Sequence, residues 1–177
     1  MTPTSLDRLR SAIRDVPDFP EPGILFKDIT PVLAHPELIK LAIDGMEAAL
    51  DGQKVDKVVG IDARGFIFGA LLAARLGAGF VPARKKGKLP WRTLGIDYAL
   101  EYGTNSIELH QDAIAPGERV VLADDLLATG GTAAAVLALM TQLQADIVAS
   151  VFFIELASLK GRDKLAGFGP IHAVLTY

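Results

Sequence analysis

The sequence predicts an α/β fold, with a mainly parallel, twisted sheet and helices on both of its faces. From Lys57 onward, short apolar segments typical of strands alternate with longer apolar segments typical of helices. The strand segments are apolar over nearly their whole length, as parallel strands buried on both faces are. Charged residues and glycines gather where the strand segments end. In such a sheet, those carboxyl ends form the ligand-binding edge.

The first third of the chain shows a helix, a proline-rich stretch and a second helix. Leu6, Leu9 and Ile13 recur at helical spacing and predict a short amphipathic helix. The prolines of "VPDFPEPGILFKDITPVL" predict an ordered, extended loop, because proline disfavours both a regular helix and a central strand. The next helix is expected at Pro36–Leu50.

The remaining elements build the sheet. The predicted strands are Lys57–Ile61, Gly79–Arg84, Arg119–Ala123, Asp146–Leu156 and Ile171–Tyr177, and the predicted helices between them are Gly65–Leu76 and Gly131–Leu143. The segments "IDYALEY" and "SIELHQ" alternate polar and apolar residues around "GTN", which predicts a hairpin with its turn at those three residues.

Composition limits the classes of protein to consider. The chain has 177 residues, which suits a single domain spanning 1–177, and half of its residues are hydrophobic. It contains no cysteine, which excludes disulfides, and its net charge of −3 gives no general attraction to nucleic acid or membranes. Arg75 and Pro82 interrupt the apolar run 65–83, so we expect a core helix and strand there, and a soluble, cytoplasmic protein.

The stretch "VVLADDLLATGGTAAAV" predicts a site for a phosphorylated sugar. A helix is expected to begin at its glycine pair, and free amides at a helix N-terminus bind anions. Asp124 and Asp125 would be repelled by phosphate and suit the hydroxyls of an attached ribose. From the residues alone, the acids could instead cap the helix while the glycines close a turn. The predicted phosphate ligands are Ala128, Thr129, Gly130, Gly131 and Thr132.

This stretch resembles the phosphoribosyl-diphosphate signature of the type I phosphoribosyltransferase family, in the form found in its adenine-specific members. The segments "FPEPGILFKDITPVL", "GIDARGFIFG", "RKKGKLP", "LEYG" and "ELASLKGR" match that family in order and spacing. The resemblance implies the type I phosphoribosyltransferase fold. It also implies an N-terminal helix and base-binding hood at about 1–35 and a small hairpin with a flexible catalytic loop at about 84–105.

A second anion site is expected at "DARGF". Arg64 and the amides of Ala63 and Gly65 lie at another predicted helix N-terminus, where they could hold the diphosphate. Taken alone, an arginine at this position is more often a surface ion-pair partner. The resemblance places a non-proline cis peptide at Ala63–Arg64.

The family resemblance is the main basis for predicting the roles of the basic segment "RKKGKLPWR" and of the following "LEYG". By composition the basic segment could be a solvated loop, and a nucleic-acid surface is disfavoured by the negative net charge. Similarity to the family implies a loop that closes over the diphosphate, with Arg84 and Lys88 as ligands. It also implies that Glu101 is the general acid–base group and that Tyr102 contacts the phosphates or the loop.

The base is expected to bind at the N-terminal hood. Phe26 could stack on a purine or be an ordinary core residue, and the residues alone do not separate these roles. The resemblance implies that backbone groups around Leu25 and Lys27 read adenine, with Leu156 as an apolar wall.

The resemblance implies transfer of a phosphoribosyl group from phosphoribosyl diphosphate to adenine, giving AMP and diphosphate in purine salvage. Asp124, Asp125, Arg64 and Glu101 would be the catalytic residues. Mg²⁺ is expected to arrive mainly with the diphosphate, and no dedicated protein metal site is predicted. A homodimer is expected from the family. The alternatives are transfer to another purine base and a regulator that senses phosphoribosyl diphosphate.

Overall fold

The computed structural model describes residues 3–100 and 103–177. The helices are α1 (Pro3–Ala12), α2 (Thr30–Leu33), α3 (Pro36–Ala48), α4 (Gly65–Leu76), α5 (Gly131–Gln142) and α6 (Gly161–Lys164), with a 3₁₀ turn at Ala157–Leu159. The strands are β1 (Arg14–Pro17), β2 (Leu25–Asp28), β3 (Lys57–Ile61), β4 (Gly79–Lys85), β5 (Thr93–Leu100), β6 (Gly103–His110), β7 (Arg119–Leu127), β8 (Asp146–Glu155) and β9 (Ile171–Thr176).

Seven strands form the main sheet in the order β5-β6-β4-β3-β7-β8-β9. Strand β3 pairs in parallel with β4 and β7, and the parallel pairing continues through β8 to β9. The hairpin β5–β6 joins antiparallel to the end of β4 and forms one edge of the sheet. The prediction of a mainly parallel sheet with a small hairpin is confirmed.

An apolar core covers each face of the sheet, because neighbouring residues of a strand point to opposite sides. Val58 and Phe153 pack in the cluster that includes residues of α1, α3 and α4. Their neighbours Val59 and Phe152 pack in the cluster that includes residues of α5. Helices therefore lie on both faces, as predicted.

The proline-rich stretch contains more regular structure than predicted. Strands β1 and β2 form a separate two-stranded antiparallel sheet, and α2 follows it. The prolines fit this arrangement because they occupy positions that need no backbone N–H: Pro17 ends β1 and Pro31 lies in the first turn of α2. This small sheet, residues 14–28, lies within the region predicted to form the hood, and from here on the name hood refers to this sheet alone.

Strand β7 continues four residues beyond its predicted end at Ala123. Its pairing with β3 stops at Ala123, whereas its pairing with β8 continues through Leu127 and Glu155. Asp124 and Asp125 therefore lie within the strand, on a stretch that has lost one neighbour. One side of this stretch is free to face a ligand.

Two smaller expectations were wrong. The "GTN" residues lie in β6, where Gly103 pairs with Leu100, so they do not form the hairpin turn. The non-proline cis peptide joins Asp62 and Ala63 and precedes the expected bond by one residue. The Asp62 amide still donates to the Ala83 carbonyl oxygen at 2.9 Å, so the chain leaves the sheet only after Asp62.

Candidate active site

A cavity of about 450 Å³ lies where β3 and β7 end and where α4 and α5 begin. The hairpin β5–β6 forms a further wall. The lining residues are 61–64, 124–133, Lys85, Tyr98, Asn105 and Ile107. The cavity therefore lies at the carboxyl edge of the sheet, where the sequence predicted a ligand.

The predicted phosphate-binding residues Ala128–Thr132, which we call the phosphate loop, line one side of this cavity. Gly130 has φ +76°, a left-handed conformation that glycine adopts without steric cost. Within the described residues, the amides of 129–133 make no hydrogen bond to protein acceptors. These amides and the α5 dipole favour an anion.

Asp124 and Asp125 lie beside this loop in unlike surroundings. The Asp125 amide donates to Asp124 Oδ1 at 2.9 Å, and a Cβ atom on Gly65 would lie 2.5 Å from the same oxygen. Only glycine therefore lets α4 approach the Asp124 carboxyl so closely. Burial raises the pKa of Asp124 well above its usual value, and the charge of Asp125 raises it further.

Arg64 joins the acidic pair to the hood. Its Nε donates to Asp125 Oδ2 at 2.5 Å, and the Asp125 side chain is only 9% exposed. The guanidinium carbon of Arg64 also lies 5.5 Å from the centre of the Phe26 ring. The predicted diphosphate ligand, sugar ligand and base ligand are thus in a continuous chain of contacts.

The basic segment, which begins at the end of β4, is anchored to the cavity by Asp62. Arg84 Nε donates to Asp62 Oδ2 at 3.0 Å, and Arg84 Nη1 donates to the Lys88 carbonyl oxygen at 3.2 Å. Lys88 is exposed, and neither it nor Arg84 is among the lining residues, whereas Lys85 is. Ala63 and Arg64 line the cavity, and Gly65 begins α4 beside Asp124.

The predicted base residues lie next to the cavity without lining it. Leu25, Phe26 and Lys27 belong to β2 of the hood, and the Leu25 side chain is half-exposed. Lys27 Nζ donates to Asp15 at 2.6 Å, which ties the two hood strands together. The Leu156 amide donates to the Leu127 carbonyl oxygen at 2.9 Å, so Leu156, the residue after β8, lies beside the end of β7.

Two predicted site residues, Glu101 and Tyr102, lie outside the described residues. Sequence reasoning missed four polar or charged lining residues, Asp62, Lys85, Tyr98 and Asn105, besides several apolar ones. Asp62 and Lys85 belong to the quoted strand-end segments, so the sequence alone could have indicated them as site residues. Tyr98 and Asn105 are cross-strand partners in the hairpin, and their direction depends on the pairing register.

Comparisons with known proteins agree with this geometry. The model of the phosphoribosyl transferase domain family matches residues 29–169. The adenine phosphoribosyltransferase of Acidothermus cellulolyticus is 57% identical over 93% of this chain and 94% of its own length. That of Mesorhizobium japonicum is 51% identical over 100% and 98% of the two chains.

Solved structures show the same fold. The adenine phosphoribosyltransferase of Rhodothermus marinus superimposes with a TM-score of 0.95 at 55% identity and covers 99% of this chain and 100% of its own. The Saccharomyces cerevisiae enzyme, solved with adenine and an imino-altritol bisphosphate, gives 0.92 at 41% identity, covering 98% and 99% of the two chains.

Proposed function

Because this chain belongs to the adenine phosphoribosyltransferases of the phosphoribosyltransferase family, we propose that it transfers a phosphoribosyl group from phosphoribosyl diphosphate to adenine. Adenine N9 bonds to ribose C1′, the bond from C1′ to the diphosphate oxygen breaks, and the N9 proton is released. The products are AMP and diphosphate. The observation that carries the proposal is that one cavity contains two features together. These are loop amides that have no acceptor among the described residues and two adjacent carboxyl groups.

The phosphate loop is the proposed site of the 5′-phosphate. Its amides have no acceptor among the described residues, and the Thr129 hydroxyl adds a further donor, as does the Thr132 hydroxyl once its proton turns away from Tyr98 Oη. A dianion here gains both hydrogen bonds and the field of the α5 dipole. This phosphate is remote from the broken bond, so its main effect is to hold the sugar in position.

Asp124 and Asp125 are the proposed ribose ligands. Carboxyl oxygens accept hydrogen bonds from the two ribose hydroxyls, and negative charge beside the ring favours the oxocarbenium-like transition state. Arg64 occupies Asp125 in the described conformation, at 2.5 Å. Substrate binding therefore exchanges partners: Asp125 takes the sugar, and Arg64 turns to the diphosphate.

The diphosphate is assigned to the N-terminus of α4 and to the basic segment. The amides of Ala63 and Gly65, together with Arg64, supply donors, and the predicted loop ligands Arg84 and Lys88 remain expectations, as does Tyr102. Lys85 is a further candidate because it lines the cavity. Closure of the loop would exclude water that hydrolyses the substrate.

Magnesium is proposed to enter with the diphosphate. Asp62, Asp124 and Asp125 line the cavity, but among the described residues no three such side chains are arranged to hold a metal ion, so diphosphate and ribose oxygens are proposed to supply most of its ligands. When bound, the ion neutralises charge on the leaving diphosphate.

The hood is the proposed base site. Phe26 stacks on the purine, backbone groups around Leu25 and Lys27 read its edge, and Leu156 forms the opposite wall. Stacking suits Phe26 because its ring lies beside Arg64, at the sugar end of the site. Glu101 is assigned the N9 proton, a role worth about 10²- to 10⁴-fold in rate.

Assembly and location are proposed at a coarser level. The family resemblance supports a homodimer, and the cysteine-free composition fits a reducing cytoplasm. Among the described residues, none of the helices is long and apolar enough to cross a membrane.

A panel of bases tests the proposal and its main rival. Adenine, hypoxanthine, guanine and xanthine are each supplied with phosphoribosyl diphosphate and Mg²⁺, and mononucleotides are separated by liquid chromatography. We expect AMP from adenine and no product from the other bases. Product from hypoxanthine or guanine alone would assign another base, and no product from any base would contradict transferase activity.

The Asp125→Asn variant tests the sugar site. Loss of the charge is expected to lower kcat by roughly 10²-fold, the scale of losing one electrostatic group in an active site. Asp51→Asn is the matched control, because Asp51 is exposed and lies outside the cavity. Equal turnover in both variants would remove Asp125 from the mechanism.

A further inference from the structure

Gly161 lies directly behind the phosphate loop. A Cβ atom on Gly161 would be 2.2 Å from the Ala128 carbonyl oxygen, and one on Gly130 would be 2.4 Å from the Gly161 carbonyl oxygen. Real Cβ atoms essentially never come within 3.0 Å of such neighbours. The loop and the start of α6 therefore meet backbone to backbone.

The two glycines are needed for different reasons. Gly130 has a left-handed φ of +76°, which itself favours glycine. Gly161 is not among the described glycines with positive φ. Only the missing side chain matters at Gly161, so an alanine there would report on the contact without straining its own backbone.

The α6 side of this contact is firmly held. Arg162 donates from Nε and Nη2 to the two Glu155 carboxylate oxygens at 2.6 and 2.8 Å, and from Nη1 to the Ile171 carbonyl oxygen at 2.8 Å. Glu155 is only 5% exposed. A bidentate pair of this kind is strong and directional, and it fixes α6 to β8 and β9.

The loop side is held less firmly, because the amides of 129–133 have no acceptor within the described residues. A group inserted at Gly161 would therefore displace the loop before it displaces α6. We propose that Gly161 is a positioning residue, which sets the place of the 5′-phosphate by supporting the phosphate loop from behind. The inference rests on the proposed function, since it takes the loop to be the phosphate site.

The Gly161→Ala variant tests this role. Displaced amides bind the phosphate less well in the ground state and transition state alike, so KM rises while kcat changes little. We expect KM for phosphoribosyl diphosphate and the Kd of ribose 5-phosphate to rise by about tenfold, with less than about threefold change in kcat. Kinetics and calorimetry measure the two effects.

Gly79→Ala is the matched control. Gly79 also lacks a positive φ, but a Cβ atom there would meet nothing nearer than Lys57 Cγ at 3.6 Å. Its kinetic constants should equal those of the unaltered chain. If Gly161→Ala folds and both KM and the ribose 5-phosphate Kd stay unchanged, the supporting role is wrong, even if Tm falls.

If Gly161→Ala does not fold, a second variant tests whether α6 supports the phosphate loop. Arg162→Lys keeps the charge but loses the bidentate grip, so α6 is held more loosely without a clash. We expect KM for phosphoribosyl diphosphate to rise by about threefold, and an unchanged KM would overturn the inference. If the unaltered chain made no AMP, the proposed function would fail, while ribose 5-phosphate binding would still decide the role of Gly161.

Discussion

At the scale of single residues, Asp124 shows how the site departs from the most stable arrangement. Its carboxyl group is packed against the start of α4 and lies beside a second acid. Both effects raise its pKa, so the fold disfavours the charged form. We interpret the unfavourable charge on Asp124 as a loss of folding stability that the proposed sugar site requires.

The Asp124→Asn variant should be more stable and less active. Below about pH 4 the carboxyl is neutral in both folded and unfolded chains, and the loss of folding stability is absent. This loss of folding stability grows as pH rises from the pKa of Asp124 in the unfolded chain to its raised pKa in the folded chain, and it is constant above that pKa. Asparagine never carries the charge, so the stability gain should appear towards neutral pH and vanish near pH 4.

Thermal unfolding measured from pH 4 to pH 8 checks this prediction. A gain of about 1 kcal/mol would raise Tm by about 2–4 °C in a chain of this size. Turnover should fall in the same variant, because one sugar ligand is weakened. A Tm difference that does not depend on pH would argue against the raised pKa as its source.

Several residue predictions came from neighbours in sequence and agree with the geometry. The phosphate loop, Asp124, Asp125 and Arg64 all line the cavity, because consecutive residues at one strand end remain together after folding. Their individual roles remain predictions. The resemblance favours Arg84 and Lys88 as loop ligands, whereas Lys85 lines the cavity, because neighbouring residues at the end of β4 point to opposite sides.

At the scale of elements, a polar contact joins the hairpin to the phosphate loop. The Thr132 hydroxyl donates to Tyr98 Oη at 3.1 Å, from the first turn of α5 to strand β5. Nearer the start of β5, Leu94 and Ile96 pack against the apolar cluster that includes α5 residues. These apolar contacts fix the position of the hairpin against that cluster. Tyr98 is the next residue on the same face of β5, and it lies at the cavity.

The Tyr98→Phe variant should weaken phosphate binding while the ring stays packed. A net hydrogen bond is worth about 0.5–1.5 kcal/mol, so KM for phosphoribosyl diphosphate should rise by roughly threefold to tenfold. Steady-state kinetics at saturating adenine measures this rise. An unchanged KM would mean that Tyr98 contributes nothing once substrate is bound.

Thr141→Val provides the control for this prediction. Thr141 lies near the other end of α5, where its hydroxyl donates to the Leu137 carbonyl oxygen at 2.9 Å. Removing that hydroxyl alters the same helix but not the cavity. We therefore expect no change in KM.

At the scale of the whole molecule, stability depends on the two apolar layers. Phe68 of α4 stacks on Phe153 of β8 with ring centres 5.3 Å apart, and both side chains are fully buried. Phe152 faces the opposite layer and is equally buried. Adjacent phenylalanines thus join helices to both faces of one strand.

The Phe153→Ala variant should lower the free energy of unfolding by about 3–5 kcal/mol, because it leaves a cavity in the core. Trp91→Ala removes an aromatic side chain that is 65% exposed and should stay within about 0.5 kcal/mol. Denaturant unfolding measures both values. Equal effects in the two variants would contradict the assigned core.

The alternation of apolar segments sufficed to predict the class of fold, the parallel strands and most element bounds, since hydrophobic periodicity reflects burial directly. Glycine and charge at strand ends sufficed to predict that Ala128–Thr132 lie at the ligand-binding edge of the sheet, where they line the cavity. The extension of β7 past Ala123, the hood sheet and the inward direction of Tyr98 and Lys85 were settled only by folding. Each depends on which strand lies alongside and in which register, and that pairing joins residues far apart in the chain.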